Sequence, residues 1–209
     1  MSQMSPNDAP LRPTVVVIAG GTASGKTTVA REAAARLDAL LLHHDRYYHD
    51  VAEPRGHNYD HPDALDTARL VQDVAELMAG RAAALPVYDF RSHRRSPEPE
   101  RVAAREIIIV EGILTLAHPA LAALADLRVF VEAPADVRLA RRIRRDVAER
   151  GRDVIGVLDQ YLNTVRPMHE AHVEPSRASA SLVLNGTAPI DLLVGVLVEA
   201  ITRAKLDPG

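Results

Sequence analysis

The apolar positions of this chain fall into short continuous runs separated by longer segments of helical period. Thr14 to Ala19, Ala39 to His43, Ile107 to Val110, Leu127 to Glu132 and Ser181 to Leu184 are dominated by Val, Ile and Leu, and each reads as a strand buried in a sheet. Between them lie helix-forming stretches. These are Val29 to Leu37, a helix opening at Pro62 and Asp63 and running to about Gly80, Pro134 to about Arg150, a second helix from about Asp153 into the 170s, and Ile190 to Ala204. Leu85 to Phe90 and Arg101 to Ala104 are shorter strand-like pieces on either side of the charged, proline-bearing Ser92 to Glu100, the pattern of an exposed hairpin. Strands alternating with helices predict a three-layer α/β/α fold, with a mainly parallel five-stranded sheet to which the hairpin is appended.

Composition narrows the function classes. At 209 residues the chain is the length of one well-packed domain, and its formal charge of −3 offers no basic excess for nucleic acid. There is no cysteine, hence no disulfide framework and no thiol chemistry. No apolar run is long enough to span a membrane, and the expectation is a cytoplasmic protein. The expected organisation is a flexible leader over 1–13, one domain over 14–204 and a tail over 205–209. Within that domain, about 45–105 forms a substrate arm and about 134–160 a lid.

Chemistry enters where the first strand meets the first helix. Gly20-Gly21-Thr22-Ala23-Ser24-Gly25-Lys26-Thr27-Thr28 has the spacing of a phosphate-binding P-loop, in which backbone N–H groups and a helix N-terminus converge on one polyphosphate. Lys26 adds a compact positive charge, and the Thr27 hydroxyl is a Mg²⁺ ligand type. Only two lysines, Lys26 and Lys205, occur in an arginine-rich chain, so a lysine at this position is not incidental. Glu111, at the end of the third apolar run, is a candidate for the metal environment; a solvated strand end is the alternative. Asp45, just past the second run, is a candidate general base, though alone it equally fits a turn or cap. Arg138, Arg141, Arg142 and Arg145 share one face of the Pro134 helix, opposite Val137, Ala140, Ile143 and Val147. Such a face needs an anion and suits a lid over transferring phosphates. The alternative is a solvated helix with Arg142/Asp146 and Arg145/Glu149 pairs. The histidines do not have metal-site spacing: His43 and His44 point to opposite faces of a strand, and these two, with His169 and His172, read as structural or surface residues. His93, close after Tyr88 and Phe90, could stack on and hydrogen-bond a heterocycle, with hairpin packing as the default.

In order, the motifs GGTASGKTT, DRYY, NYDHPDALD, PVYDFRSHRR, IIIVEGIL, RLARRIRRDVAERGRD and QYLNTVRPMHEAHVEPS resemble the uridine/cytidine kinase family, relatives of the phosphoribulokinases. The resemblance covers about Thr14 to Asn185 and implies transfer of the γ-phosphoryl group of ATP or GTP, with Mg²⁺, to the 5′-hydroxyl of uridine or cytidine. It implies a P-loop NTPase fold with an arginine-rich helical lid, a homotetramer, and feedback inhibition by UTP and CTP. By motif, Asp45 matches the catalytic base, and Thr27, Asp45 and Glu111 the metal environment. Asp60 and Arg142 match ribose contacts, and Tyr48, Tyr88, Phe90 and His93 the nucleobase pocket. Arg152 and Gln160 match further nucleoside contacts, and Arg145 and Arg150 phosphate contacts. Because an imidazole can donate or accept, His93 implies that both pyrimidines are used. Ser181 stands where the family has Asp, and Arg46 is bulkier than the usual residue. The competing readings are another P-loop small-molecule kinase, phosphoribulokinase-like or acting on a vitamin precursor, and a non-catalytic nucleotide switch.

Overall fold

In a computed structural model of the chain, which describes residues 12–53 and 56–206, the run Thr14–Ala19 forms β1, every residue of it buried. The P-loop leads directly into α1 (Lys26–Leu37), and β2 (Leu40–His43) follows. A helical turn, His44–Tyr47, then takes the chain off the sheet end. The helix expected from Pro62 starts later. Pro62–Ala64 makes only one tight turn, and Leu65 is extended and bridges Tyr48. α2 then runs over Thr67–Met78 behind Asp66, whose carboxylate accepts a hydrogen bond from Arg69 N at 3.2 Å. An Asp N-cap is the stronger start signal of the two, because it satisfies an orphan N–H that proline merely lacks.

The expected single hairpin is two nested ladders. The outer one pairs β3 (Ala83–Leu85) with β6 (Glu100–Val102); the inner pairs β4 (Tyr88–Asp89), within the first strand-like piece, with β5 (Arg94–Arg95), which lies in the segment read as a charged loop. β7 (Ile107–Glu111), buried throughout, returns to the sheet, and the short α3 (Pro119–Ala123), which the sequence pattern missed, precedes β8 (Leu127–Glu132). α4 (Ala135–Arg150) follows, and then a helical stretch that changes pitch twice. α5 (Val154–Gln160), α6 (Arg166–Met168) and α7 (Glu174–Ser176) are joined by wider turns at Tyr161–Val165 and His169–Val173. Pro167 and Pro175 each lack the N–H that would bond four residues back, and the helix absorbs the gap by widening just before them. β9 (Leu182–Asn185) and α8 (Ile190–Leu206) complete the fold.

The five-stranded sheet has the order β2-β7-β1-β8-β9 and is parallel throughout. Alternate residues of each strand feed two cores. Val15, Val17, Ile108, Val110 and Phe130 pack toward α2 and α3, while Val16, Ile18, Ile109, Val129 and Val131 pack toward α1 and α8. These are the three layers, and they bring the carboxyl ends of β1, β2, β7 and β8 to one edge. Of the expected leader, loop and tail, residues 1–11, 54–55 and 207–209 lie outside the described residues. No helix among the described residues is long and apolar enough to cross a membrane.

Candidate active site

The P-loop turn closes through a hydrogen bond from Ser24 N to Gly21 O at 3.1 Å, and Gly25 caps α1 with a φ of 103°, a conformation open to glycine at little cost. A Cβ on Gly20, whose φ is 147°, would stand 2.4 Å from the Val131 carbonyl oxygen, so the loop can lie this close to β8 only with glycine there, while Gly21 leaves room for the Arg138 side chain of α4. Lys26 is buried at the first position of α1.

Parallel pairing sets the acidic centre beside it. Glu111 ends β7 in register with Ile18 of β1 and His43 of β2. Its Oε2 accepts a hydrogen bond from Thr27 Oγ1 at 3.1 Å, and its Oε1 lies 2.6 Å from His43 Nδ1. Burial pushes the Glu111 carboxyl up, but the hydrogen bond from His43, the Lys26 charge and the bond from Thr27 outweigh it and hold the pKa below its ordinary value. His43 is therefore part of this centre, against the expectation of a structural or surface role. Its signal in the sequence was that it ends its strand as Glu111 ends its own. His44 points away and bonds Thr67 Oγ1 at 2.9 Å.

Asp45 sits in the turn after β2, reachable by solvent yet deep among protein atoms. That depth, reinforced by the charge of Glu111, raises its pKa, opposed by Lys26, His43 and Arg150. Asp60 is raised by burial and by Asp45, and held back by Arg142 and Lys26. Neither carboxylate accepts a hydrogen bond among the described residues, so both remain available. Thr27 and Glu111, in contact at 3.1 Å, and Asp45, within the field of Glu111, offer oxygens of the kind Mg²⁺ takes, an ion that uses few protein ligands and completes its shell with water and phosphate. Among the described residues no group of three or more His, Cys, Asp or Glu is arranged to hold a metal by itself. His169 instead pairs with Glu174 at 3.3 Å, and His172 meets His61 edge to face.

α4 inverts the expected amphipathic pattern. Its buried residues are Arg138, Arg142 and Asp146, while Ala140 and Val147 face solvent. The anion that the arginine face requires is Asp146, fully buried, within 3.6 Å of Arg142, 2.9 Å of Arg145, 3.4 Å of Arg150 and 3.5 Å of Arg152. Of the two helical pairs considered, Arg142/Asp146 forms; Arg145 turns to Asp146 rather than Glu149. Gln160 Oε1 accepts from both Arg142 (2.8 Å) and Arg152 (2.7 Å), and Arg142 also donates to Thr22 Oγ1 of the P-loop at 3.1 Å. Arg138 bonds Ala133 O, and Arg141 bonds Gly186 O. Arg142 acts on Asp60 through its charge, since its hydrogen bonds go to Thr22 and Gln160.

The remaining wall is aromatic. Tyr48 is buried, with ring centroids 5.5 Å from Tyr59, 5.5 Å from Tyr88 and 6.5 Å from Phe90. Phe90 is 60% exposed and continues this wall outward, its ring centroid 5.1 Å from that of Tyr88. His93 stacks on Tyr59 and hydrogen-bonds its hydroxyl. Tyr59 was absent from the expected site residues. The inner ladder is pinned to the Asp45 turn by Arg95, which donates to Tyr48 O at 2.9 Å and Tyr47 O at 2.8 Å.

Residues 15–192 match the Phosphoribulokinase / Uridine kinase family. The chain is 42% identical over 200 residues to a protein named uridine kinase from Chloroflexus aggregans, covering 92% of this chain and 96% of that one. To the protein of that name from Clostridium tetani it is 40% identical over 206 residues, covering 93% and 99%. In fold it is similar to phosphoribulokinase from Rhodobacter spheroides, with a TM-score of 0.61 at 15% identity, over 86% of this chain and 74% of that one. A P-loop closed by an arginine helix, a Thr27–Glu111 centre, and sequence likeness over nearly the whole length lead to one conclusion: this chain is a kinase of the Phosphoribulokinase / Uridine kinase family.

Proposed function

We propose that the protein is a uridine/cytidine kinase, transferring the γ-phosphoryl group of ATP or GTP to the 5′-hydroxyl of uridine or cytidine to give UMP or CMP in pyrimidine salvage. One observation supports this best. Two carboxylates that accept no hydrogen bond among the described residues, Asp45 and Asp60, share the field of Lys26 in the P-loop and act in turn on Tyr48 of the aromatic wall.

In this reading Tyr48, Tyr88, Phe90 and His93 hold the base, and Asp60 with Arg142 holds the ribose hydroxyls. Arg152 and Gln160 complete the nucleoside contacts. Gly20 to Thr28 cradle the donor's phosphates, with Lys26, Arg145 and Arg150 as the charged contacts. Asp45 accepts the proton of the 5′-hydroxyl as that oxygen bonds to the γ-phosphorus and the bond to the leaving nucleoside diphosphate breaks in line. Thr27, Asp45 and Glu111 would hold Mg²⁺, which would supply positive charge against the phosphates. Arg145 stabilises the transferring group. The same reading places the enzyme in the cytoplasm as a homotetramer, with UTP and CTP as feedback inhibitors.

The test is ADP release with Mg²⁺-ATP and a panel of uridine, cytidine, adenosine, ribulose 5-phosphate and pantothenate. Turnover is expected on uridine and cytidine, and Asp45→Asn should lose it by at least about 10²-fold while still binding ATP. Turnover only on a non-nucleoside, or none at all with ATP bound, rejects the reading.

A further inference from the structure

Tyr59 and His93 come from separate segments, yet the Tyr59 hydroxyl lies 2.8 Å from His93 Nδ1 and the rings stack at 5.4 Å with 29° between their planes. His93 is held in place from its backbone as well. It occupies the tip between β4 and β5 with a φ of 55°, a conformation non-glycine residues seldom adopt, and its carbonyl accepts from Val51 N at 3.1 Å. Two residues on, Arg95 anchors the ladder, so little freedom is left to the ring.

In a bond between a phenol and a neutral imidazole, the phenol is the better donor and the ring nitrogen the better acceptor. Tyr59 therefore donates to Nδ1, and the ring proton resides on Nε2. No hydrogen bond to Nε2 forms among the described residues. The face offered to a ligand is then a donor and nothing else. The two pyrimidines differ at one place in a way a donor can read: uracil carries a carbonyl at position 4, an acceptor, where cytosine carries an amino group, a donor.

We propose that Tyr59 is a positioning residue that sets specificity: its hydroxyl holds His93 as the Nε2–H tautomer and so favours the 4-keto edge of uridine over the 4-amino edge of cytidine. This rests on the uridine/cytidine kinase reading and narrows it. Cytidine is still bound, but against His93 it must either leave its amino group unpaired or move the ring proton to Nδ1 and break the Tyr59 bond. Both routes cost about one hydrogen bond.

The experiment measures kcat/KM for uridine and for cytidine in the wild type and in Tyr59→Phe, which keeps the stack and removes only the hydroxyl. The wild type should prefer uridine, and the ratio should fall by roughly five- to tenfold in Tyr59→Phe, carried by KM rather than kcat. In a His93→Gln background the same substitution should leave the ratio unchanged, since a carboxamide can offer either a donor or an acceptor. Imidazole ¹⁵N shifts of the enzyme without nucleoside should show the proton on Nε2 of His93 in the wild type and shared between the nitrogens in Tyr59→Phe. Turnover of both nucleosides at an unchanged ratio, or a wild-type proton on Nδ1, overturns this inference alone. Absence of turnover on either nucleoside overturns the kinase reading, and this inference with it.

Discussion

His44 is adjacent to the residue assigned as base but is tuned for a different purpose. It is buried, its Nε2 bonds Thr67, and its Nδ1 has no partner among the described residues. Burial first, and the charge of His118 second, lower its pKa to about 4 against the opposing pull of Glu111. A depressed folded-state pKa gives stability that is present above the ordinary histidine value and lost as pH falls through about 4. The amount at stake is on the order of 3 kcal/mol. The urea midpoint of the wild type should therefore drop more between about pH 7 and about pH 4.5 than that of His44→Gln; parallel declines would show that His44 does not carry the effect. At this scale, legibility depended on whether a residue's role is local. Lys26 and Thr27 could be read because their motif supplies its own geometry. His43 and Tyr59 could not, because each acts through a partner that the fold brings from another strand or another loop; Asp146 was legible only as the helical partner of Arg142, not as the carboxylate that Arg145, Arg150 and Arg152 share.

Among the elements, α4 shows how far periodicity reaches. The sequence correctly placed a helix there and placed the arginines on one face. It did not show which face turns inward, because that choice is made by Asp146, Gln160 and the P-loop rather than by apolar area. Removing a buried carboxylate while leaving its guanidinium groups in place is costly. Asp146→Ala should lose about 3 kcal/mol or more in chemical denaturation. Saturating ATP should raise the variant's melting temperature by more than the wild type's, since the phosphates resupply the missing anion. Equal shifts would separate the cluster from the nucleotide. The nested ladders and the late start of α2 escaped for a related reason: two-residue strands have too few positions for a pattern, and the Asp66 cap outcompetes Pro62 only once Leu65 is committed to Tyr48.

For the whole molecule, the parallel sheet was legible because strands buried on both faces leave uninterrupted apolar runs, and the layers then follow from connection lengths. The assembly of subunits is not written that way. α8 covers one core with Leu193, Val194, Leu197 and Ile201, yet leaves Leu192 and Val196 turned outward, 59% and 38% exposed. If the tetramer proposed above forms through this stripe, light scattering should show concentration-dependent association that Leu192→Glu shifts toward the monomer. Unchanged association would place the interface elsewhere. The lid cluster, finally, bears on timing. Four guanidinium groups around one carboxylate make a local positive field, tempered by Asp60 near Arg142 and by Asp45 near Arg150. Such a field accelerates the encounter with a polyphosphate and fades with ionic strength over a Debye length of about 10 Å at 0.1 M salt. If these arginines meet the donor's phosphates as proposed, Asp146 would offer each an alternative to the departing phosphate, so the residue that readies them for capture would also hasten release.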